Sequence, residues 1–401
     1  MKTKNKTKDK LILGDNLEVL KTLKDESVDL IYIDPPFFSN RNYEVVFGDE
    51  AEIRSFEDRW EGGVSVYVEW MKERVRELYR VLKPTGSFYL HCDWHASHHL
   101  RIMLDEVFET KSFQNEIIWF YETGGISKVR FGRKHDNIYF YTKTDNYIFN
   151  ANEVLEKRSE EVLRRLATGV KSATRASSEQ RLPSDVWRIP AINAMAKERL
   201  GYPTQKPEAL LERIIKASSN KNDIVLDAFC GCGTSLAVAQ KLNRHWIGID
   251  ISPTAIKLVE KRLKKIGAIE NKTYKTINTP TTDNDLKDFK PFEFQNWVID
   301  ELGAKHSKNK VGDMGIDGYF TKDLWHEDAG IQVKQSDSVG RNVVDNFETA
   351  LKRGKYTKGY IVAFSFTKGS YEEVAKVKNR EGLEIKLIKV SQLLNKKKPI
   401  L

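Results

Sequence analysis

Short apolar runs alternate with amphipathic runs of helical length through most of this 401-residue chain. That alternation commits it to an α/β fold in which crossover helices connect the strands of a largely parallel sheet. The spacing predicts a strand over residues 11–14, a helix over 17–23, a strand over 30–33 and a helix over 66–82. Lys83-Pro84-Thr85-Gly86 reads as a turn into a strand over 87–91. A helix over 95–108 comes next, then β-rich runs over 116–121 and 137–142 that read as an antiparallel pair. The alternation resumes with a helix over 207–219, a strand over 224–227, a helix over 235–242, a strand over 246–250 and a helix over 253–266.

An insertion at about residues 122–200 interrupts the pattern, polar and basic, with Arg158, Arg164, Arg165, Lys171, Arg175 and Arg181. Residues 1–266 therefore form one domain. Residues 267–291, with Thr, Asn, Asp and Pro and little periodicity, read as a linker. A helix over 292–302 and strands over 318–320, 329–335 and 359–364 mark a second, smaller α/β domain spanning 292–401. The length suits two domains.

A net charge of +9 and a pI near 9.1 favour a polyanionic partner. No apolar run is long enough to span a bilayer, and the basic start lacks the apolar stretch of a signal peptide. Cys92, Cys230 and Cys232 leave one thiol over in any disulfide scheme, which points to the reducing cytoplasm.

Asp34-Pro35-Pro36-Phe37 closes the apolar strand 29–33 with a carboxylate, a rigid turn and an aromatic face. The prolines fix φ and donate no hydrogen bond, so the Pro35 carbonyl stays free to accept one; Asp34 is a second acceptor, and Phe37 offers a ring on which a base stacks. Such a corner grips a planar amino group. Further on, the strand 224–227 runs into Ala228-Phe229-Cys230-Gly231-Cys232-Gly233-Thr234 and a helix, where small residues let a ligand approach the backbone. Asp250 ends the next strand, placed to accept hydrogen bonds from ribose hydroxyls.

These segments resemble the DNA amino-methyltransferases: Asp34 to Phe37 is similar to the family's catalytic motif, and Asp227 to Thr234 to its S-adenosyl-L-methionine motif. The catalytic motif precedes the cofactor motif with the insertion between them, as in the circularly permuted β class, and the match runs over about residues 11–263. Thr204-Gln205-Lys206-Pro207 is similar to the tenth motif, whose residues line the methionine end, and Gly14-Asp15-Asn16 sits where the family places an adenine-ring contact. Phe37 stands where Tyr is more usual, and Ala228 and the two cysteines replace the more frequent Pro and Ser. The resemblance implies a circularly permuted Rossmann-like sheet and a cofactor held by Asp15, Thr204, Lys206, Asp227, Phe229, Gly231, Gly233, Thr234 and Asp250. It implies methylation of a flipped-out base in double-stranded DNA, adenine N6 ahead of cytosine N4, with catalysis by Asp34, Pro35, Pro36 and Phe37. The insertion, with Lys128, Arg130, Arg133 and Lys134, becomes the target-recognition region.

Two clusters invite a metal reading. Cys230 and Cys232 lie on a glycine turn with no second pair and read as small packing residues; His91, Cys92, Asp93, His95, His98 and His99 straddle a strand end and a helix start and read as packing and capping.

In the second domain Gly315-Ile316-Asp317-Gly318 precedes one strand and Ile331-Gln332-Val333-Lys334 lies on the next. A hairpin would bring Asp317, Gln332 and Lys334 together: an acid for Mg²⁺ and a Lys near the attacking water. This segment resembles the Mrr-like restriction endonucleases, a branch of the PD-(D/E)XK fold in which Gln replaces the second acid, and Glu293 on the preceding helix adds a metal contact. The resemblance implies a single-chain restriction-modification enzyme. Its rival is a cytosine-N4 methyltransferase whose second domain is an inactive DNA-binding module. A homodimer is left open.

Overall fold

The computed structural model describes residues 8–38, 63–121, 128–167, 179–193, 195–200, 202, 204–289, 291–307, 315–321 and 328–394. Lys171 and Arg175 of the insertion lie outside them. Two units are seen, one carrying the strands up to residue 277 and the other those beyond residue 278.

The first unit is built on a nine-stranded sheet. Its strands are β1 (Asp9–Leu13), β2 (Val28–Ile33), β3 (Leu82–Cys92), β4 (Phe113–Phe120), β5 (His135–Thr142), β8 (Val186–Arg188), β9 (Ile224–Asp227), β10 (His245–Asp250) and β11 (Tyr274–Ile277), while β6 (Glu156–Lys157) and β7 (Gln180–Arg181) form a separate small hairpin. The spatial order is β11-β1-β10-β9-β2-β3-β5-β4-β8, parallel from β11 to β3. All six residues of β2 are buried, as a strand covered on both faces requires. The helix Val64–Val81 covers one face through Tyr67, Met71, Val75 and Leu78.

β4 and β5 pair antiparallel as the sequence leads one to expect. The segment 83–86 differs: it is part of β3. The register passes from Val28 opposite Leu82 to Leu30 opposite Ser87, so the residues between bulge out. Gly86 closes the bulge, because a Cβ there would meet Leu82 Cδ1 at 2.5 Å and the Asp29 carbonyl at 3.0 Å.

Residues 267–291 are not one linker. Tyr274 is 3% exposed and opens β11, the edge strand beside β1. Leu286, fully buried, sits on the short helix Asp283–Lys287 and packs into the core of the second unit. One well-placed apolar side chain in each stretch outweighs its polar composition.

The second unit has a five-stranded sheet of β12 (Lys305–His306), β13 (Gly318–Phe320), β14 (Ala329–Lys334), β15 (Lys358–Ala363) and β16 (Glu384–Lys389) in that order. β13 and β14 are antiparallel; β14, β15 and β16 are parallel, joined by the helices Arg341–Arg353 and Lys368–Glu381. Separate cores form around Phe294, Trp297 and Val298 and around Val344, Phe347 and Leu351. Among the described residues no helix is long and apolar enough to cross a membrane.

Candidate active site

β2 and β9 are neighbours, with Leu30 opposite Val225 and Ile31 opposite Leu226. Both run the same way, so Asp34 and Asp227 emerge at the same edge of the sheet, where open α/β sheets bind ligands. The two motifs, distant in sequence, meet there.

The Lys206 ammonium pairs with Oδ2 of Asp34. Oδ1 is buried and has no hydrogen-bond partner among the described residues. Tyr67 Oη donates to the Pro36 carbonyl at 2.7 Å and so pins the turn, whereas no hydrogen bond from a described residue reaches the Pro35 carbonyl. Phe38, just beyond, takes a left-handed φ of 57°, a costly conformation for an aromatic residue that turns the chain sharply. Phe37 lies over His91, ring centroids 5.8 Å apart, with the Lys206 ammonium 5.0 Å from its centroid.

His91 belongs to a buried polar chain. Tyr32 Oη lies 2.9 Å from Nδ1, Asp136 Oδ2 lies 3.2 Å from Nε2, and Tyr121 Oη donates to Asp136 Oδ1 at 3.0 Å. Burial, with Asp34 and Asp227 nearby, holds the Tyr32 hydroxyl well above its usual range, so it keeps its proton. Burial works against the Asp136 carboxylate more than any single partner favours it, but the hydrogen bond and charge of His91, the charge of Lys206 and the hydrogen bond from Tyr121 together leave the group below the ordinary value. This support beneath the aromatic face is invisible in the sequence. The only sign of it was a histidine at a strand end.

In the glycine loop, Gly231 and Gly233 have φ of 46° and 71°. A Cβ on Gly231 would meet the Tyr202 ring at 3.2 Å, and one on Gly233 would meet Val259 Cγ2 at 2.8 Å. Gly233 is the residue before the helix Thr234–Lys241, and Thr234 is buried at its start. Asp227 accepts from Phe229 N at 3.1 Å and from Ser235 Oγ. Burial pushes its carboxyl up to about 7, with Asp34 and Asp250 adding like charge. Asp250 Oδ2 accepts from Gly231 N at 2.8 Å, so this carboxylate organises the loop itself.

Asp15 caps the helix Asn16–Lys21 and pairs with Arg74 at 3.1 Å. Asn16 donates to the Ala228 carbonyl at 2.9 Å and accepts from Arg74 Nε at 2.7 Å, tying this corner to the glycine loop. Arg74 lies 3.8 Å over Trp70, which is 5.9 Å from Phe229. Arg74, Trp70 and Tyr67 were missed by motif reading because the helix Val64–Val81 looks like an ordinary amphipathic one, and Tyr202 because it lies in a segment with no period of its own. Thr204 contributes its carbonyl, 3.4 Å from the Lys206 ammonium. Cys92, Cys230 and Cys232 are buried and form no disulfide among the described residues.

In the second unit, Asp317 Oδ2 accepts from Val333 N at 2.6 Å, and Gln332 Nε2 donates to the Gly315 carbonyl at 2.9 Å. Gln332 Oε1 is buried with no partner among the described residues. Gly315 has φ 88°, and a Cβ there would meet Gln332 Nε2 at 2.8 Å. Gln332 and Lys334 alternate along β14 and so share a face. Among the described residues no three His, Cys, Asp or Glu side chains converge as metal ligands.

Residues 28–261 match the family described as DNA methylase, and residues 286–396 match one described as restriction endonuclease. The DNA adenine methyltransferase YhdJ of Escherichia coli (strain K12) is 34% identical over 255 residues, covering 63% of this chain and 82% of that protein. The type II methyltransferase M.HpaI of Haemophilus parainfluenzae is 35% identical over 256 residues, covering 63% and 74%. A solved PvuII DNA methyltransferase, cytosine-N4-specific, aligns at 20% identity with a TM-score of 0.47 over 64% of this chain and 86% of that one. With residues 28–261 matched and the Asp34–Phe37 and glycine motifs brought to one sheet edge, the chain belongs to the DNA methylase family, and a segment similar to the restriction endonuclease family follows.

Proposed function

We propose that the first unit transfers a methyl group from S-adenosyl-L-methionine to adenine N6 of a base flipped out of double-stranded DNA. The observation that carries this is Asp34 Oδ1, a buried acceptor with no partner among the described residues. Such an atom costs about 1–3 kcal/mol to leave unsatisfied, and a substrate N–H at this corner would satisfy it.

The residues of the glycine loop fit the cofactor. Gly231 and Gly233 hold the loop in left-handed turns packed on Tyr202 and Val259, Phe229 supplies a ring, Thr234 opens the helix, and Asp227 and Asp250 accept from the loop's own amides, while Asp15 and the Thr204 carbonyl are the further acceptors assigned to the cofactor. When bound, S-adenosyl-L-methionine supplies an electrophilic sulfonium methyl. Asp34 and the Pro35 carbonyl each take one N–H of the exocyclic amine, which withdraws its lone pair from the ring and aims it. Phe37, backed by His91, stacks the base. One N–H proton would leave toward Asp34 as the new N–C bond forms and the S–CH3 bond breaks, its electron pair staying on sulfur to leave the neutral thioether S-adenosyl-L-homocysteine. Adenine is favoured over cytosine by the name of the E. coli relative.

The second unit is proposed to cut DNA with Mg²⁺ held by Asp317, Gln332 Oε1 and Glu293, while Lys334 steers the attacking water. The unpartnered Gln332 Oε1 supports this, since a buried amide oxygen suits a hard cation and Asp317 accepts from the amide of the neighbouring Val333. Incubating unmethylated DNA with the protein, S-adenosyl-L-methionine and Mg²⁺, then mapping methylated bases and breaks by sequencing, tests both units. Methylcytosine in place of methyladenine would refute the assigned base.

A further inference from the structure

We infer that Lys206 is a positioning residue for methyl transfer: its ammonium holds one oxygen of Asp34 and thereby presents the other to the substrate amine. The inference rests on the methyltransferase reading and adds to it a residue whose motif position would otherwise assign it to the cofactor.

The geometry is specific. Lys206 is 8% exposed, and its ammonium is shared among Asp34 Oδ2, the Thr204 carbonyl and the face of Phe37. Its backbone is fixed on both sides. Gln205 accepts from Leu200 N at 2.8 Å and donates to the Glu198 carbonyl at 2.7 Å; Pro207 precedes the helix Glu208–Ser218, whose first amide donates to Glu198 Oε2 at 2.9 Å. These bonds fix the residues on either side of Lys206, and rotation of Asp34 would cost its contact with the ammonium.

Asp34 also stands in a crowd of acids. Asp227 on β9 feels the charges of Asp34 and Asp250, and Asp136 on β5 feels that of Lys206. Tyr32 on its own strand stays protonated, as does the buried Cys92 thiol on β3, so neither compensates the Asp34 charge. Lys206 does so with a compact ammonium that touches Oδ2 and leaves Oδ1 open. An arginine in its place would present a planar fork that binds a carboxylate through both oxygens and closes the one the amine needs. A lysine whose task was to bind the cofactor's carboxylate would tolerate that exchange, because the fork suits a carboxylate there.

The test uses the full-length protein, Lys206→Met and Lys206→Arg, with thermal melts to confirm folding, equilibrium dialysis of S-adenosyl-L-methionine, and single-turnover methylation of duplex DNA at saturating cofactor. Both variants are expected to bind the cofactor within about threefold of the parent and to methylate about 100-fold more slowly, the loss typical of a removed preorganised donor. A parental rate in Lys206→Arg overturns the inference. So does a tenfold or greater loss of cofactor affinity accompanied by a normal rate at saturation, which makes Lys206 a cofactor ligand. If the unsubstituted protein fails to methylate any DNA, the methyltransferase reading itself falls, an outcome distinct from either.

Discussion

Asp227 is held by its surroundings in a state that an exposed aspartate never adopts at neutral pH. Burial first, then the charges of Asp34 and Asp250, push its carboxyl from 3.8 up to about 7. The folded chain therefore keeps a proton that the unfolded chain loses between about pH 4 and 7. This contribution to stability is full below about pH 4 and falls as pH rises toward 7, by at most about 1.4 kcal/mol per pH unit. Asp227→Asn should flatten that part of the pH–stability curve, measured as thermal midpoints from pH 4 to 8; parallel curves for the two proteins would contradict it. Asp34 is the other decisive residue. Asp34→Ala is expected to lower methylation at least about 100-fold while leaving cofactor binding largely intact, and methylation that persists would remove its assigned role. Both acids stand out in the sequence as candidates, because a carboxylate at a strand end before Pro-Pro or before a glycine loop marks a corner where a ligand can be held. The pairing of Asp34 with Lys206 was not, since an ion pair between residues 172 apart depends on where two loops are brought by the sheet.

At the scale of elements, the glycine loop and the basic loop between β4 and β5 make the clearest predictions. Gly233→Ala forces both a left-handed alanine, at about 1–2 kcal/mol, and a collision with Val259. Gly382, with φ 67° at the end of the helix Lys368–Glu381, has nothing within 4 Å of the added Cβ and suffers the backbone penalty alone. Melting curves should show Gly233→Ala as the less stable of the two, and only Gly233→Ala should weaken S-adenosyl-L-methionine binding in dialysis. In the basic loop, Lys128, Arg130 and Arg133 are exposed, with Arg133 stacked 3.4 Å over Trp94. Changing all four cations, Lys134 included, to Gln is expected to weaken binding to any duplex and to reduce the slope of log K against log salt by up to about 0.9 for each phosphate no longer neutralised. An unchanged slope would place the DNA elsewhere. Strand and helix positions of the first unit could be read from period and punctuation. The edge strand β11 could not, because Tyr274 and Ile277 stand among Lys, Thr and Asn with no apolar run to mark a strand, and the segment takes its place by pairing with β1 and packing on Trp246.

For the whole molecule, two sites on two separately cored units predict two separable activities. Asp317→Ala and Lys334→Ala should abolish Mg²⁺-dependent cutting and leave methylation at the parental rate, and Asp34→Ala should do the reverse. DNA cleavage that survives in Asp317→Ala would leave the second unit without its assigned chemistry. Sequence alone determined the α/β class, the two-part organisation and the residue types at each chemical corner, because those follow from local periodicity and from what Pro, Gly and acidic side chains permit. Only the tertiary structure decided that β2 lies beside β9, that His91 supports Phe37, and which oxygen of Asp34 is engaged and which is open. Those outcomes depend on strand adjacency and burial, which many weak interactions between distant residues settle together and no short stretch of chain encodes.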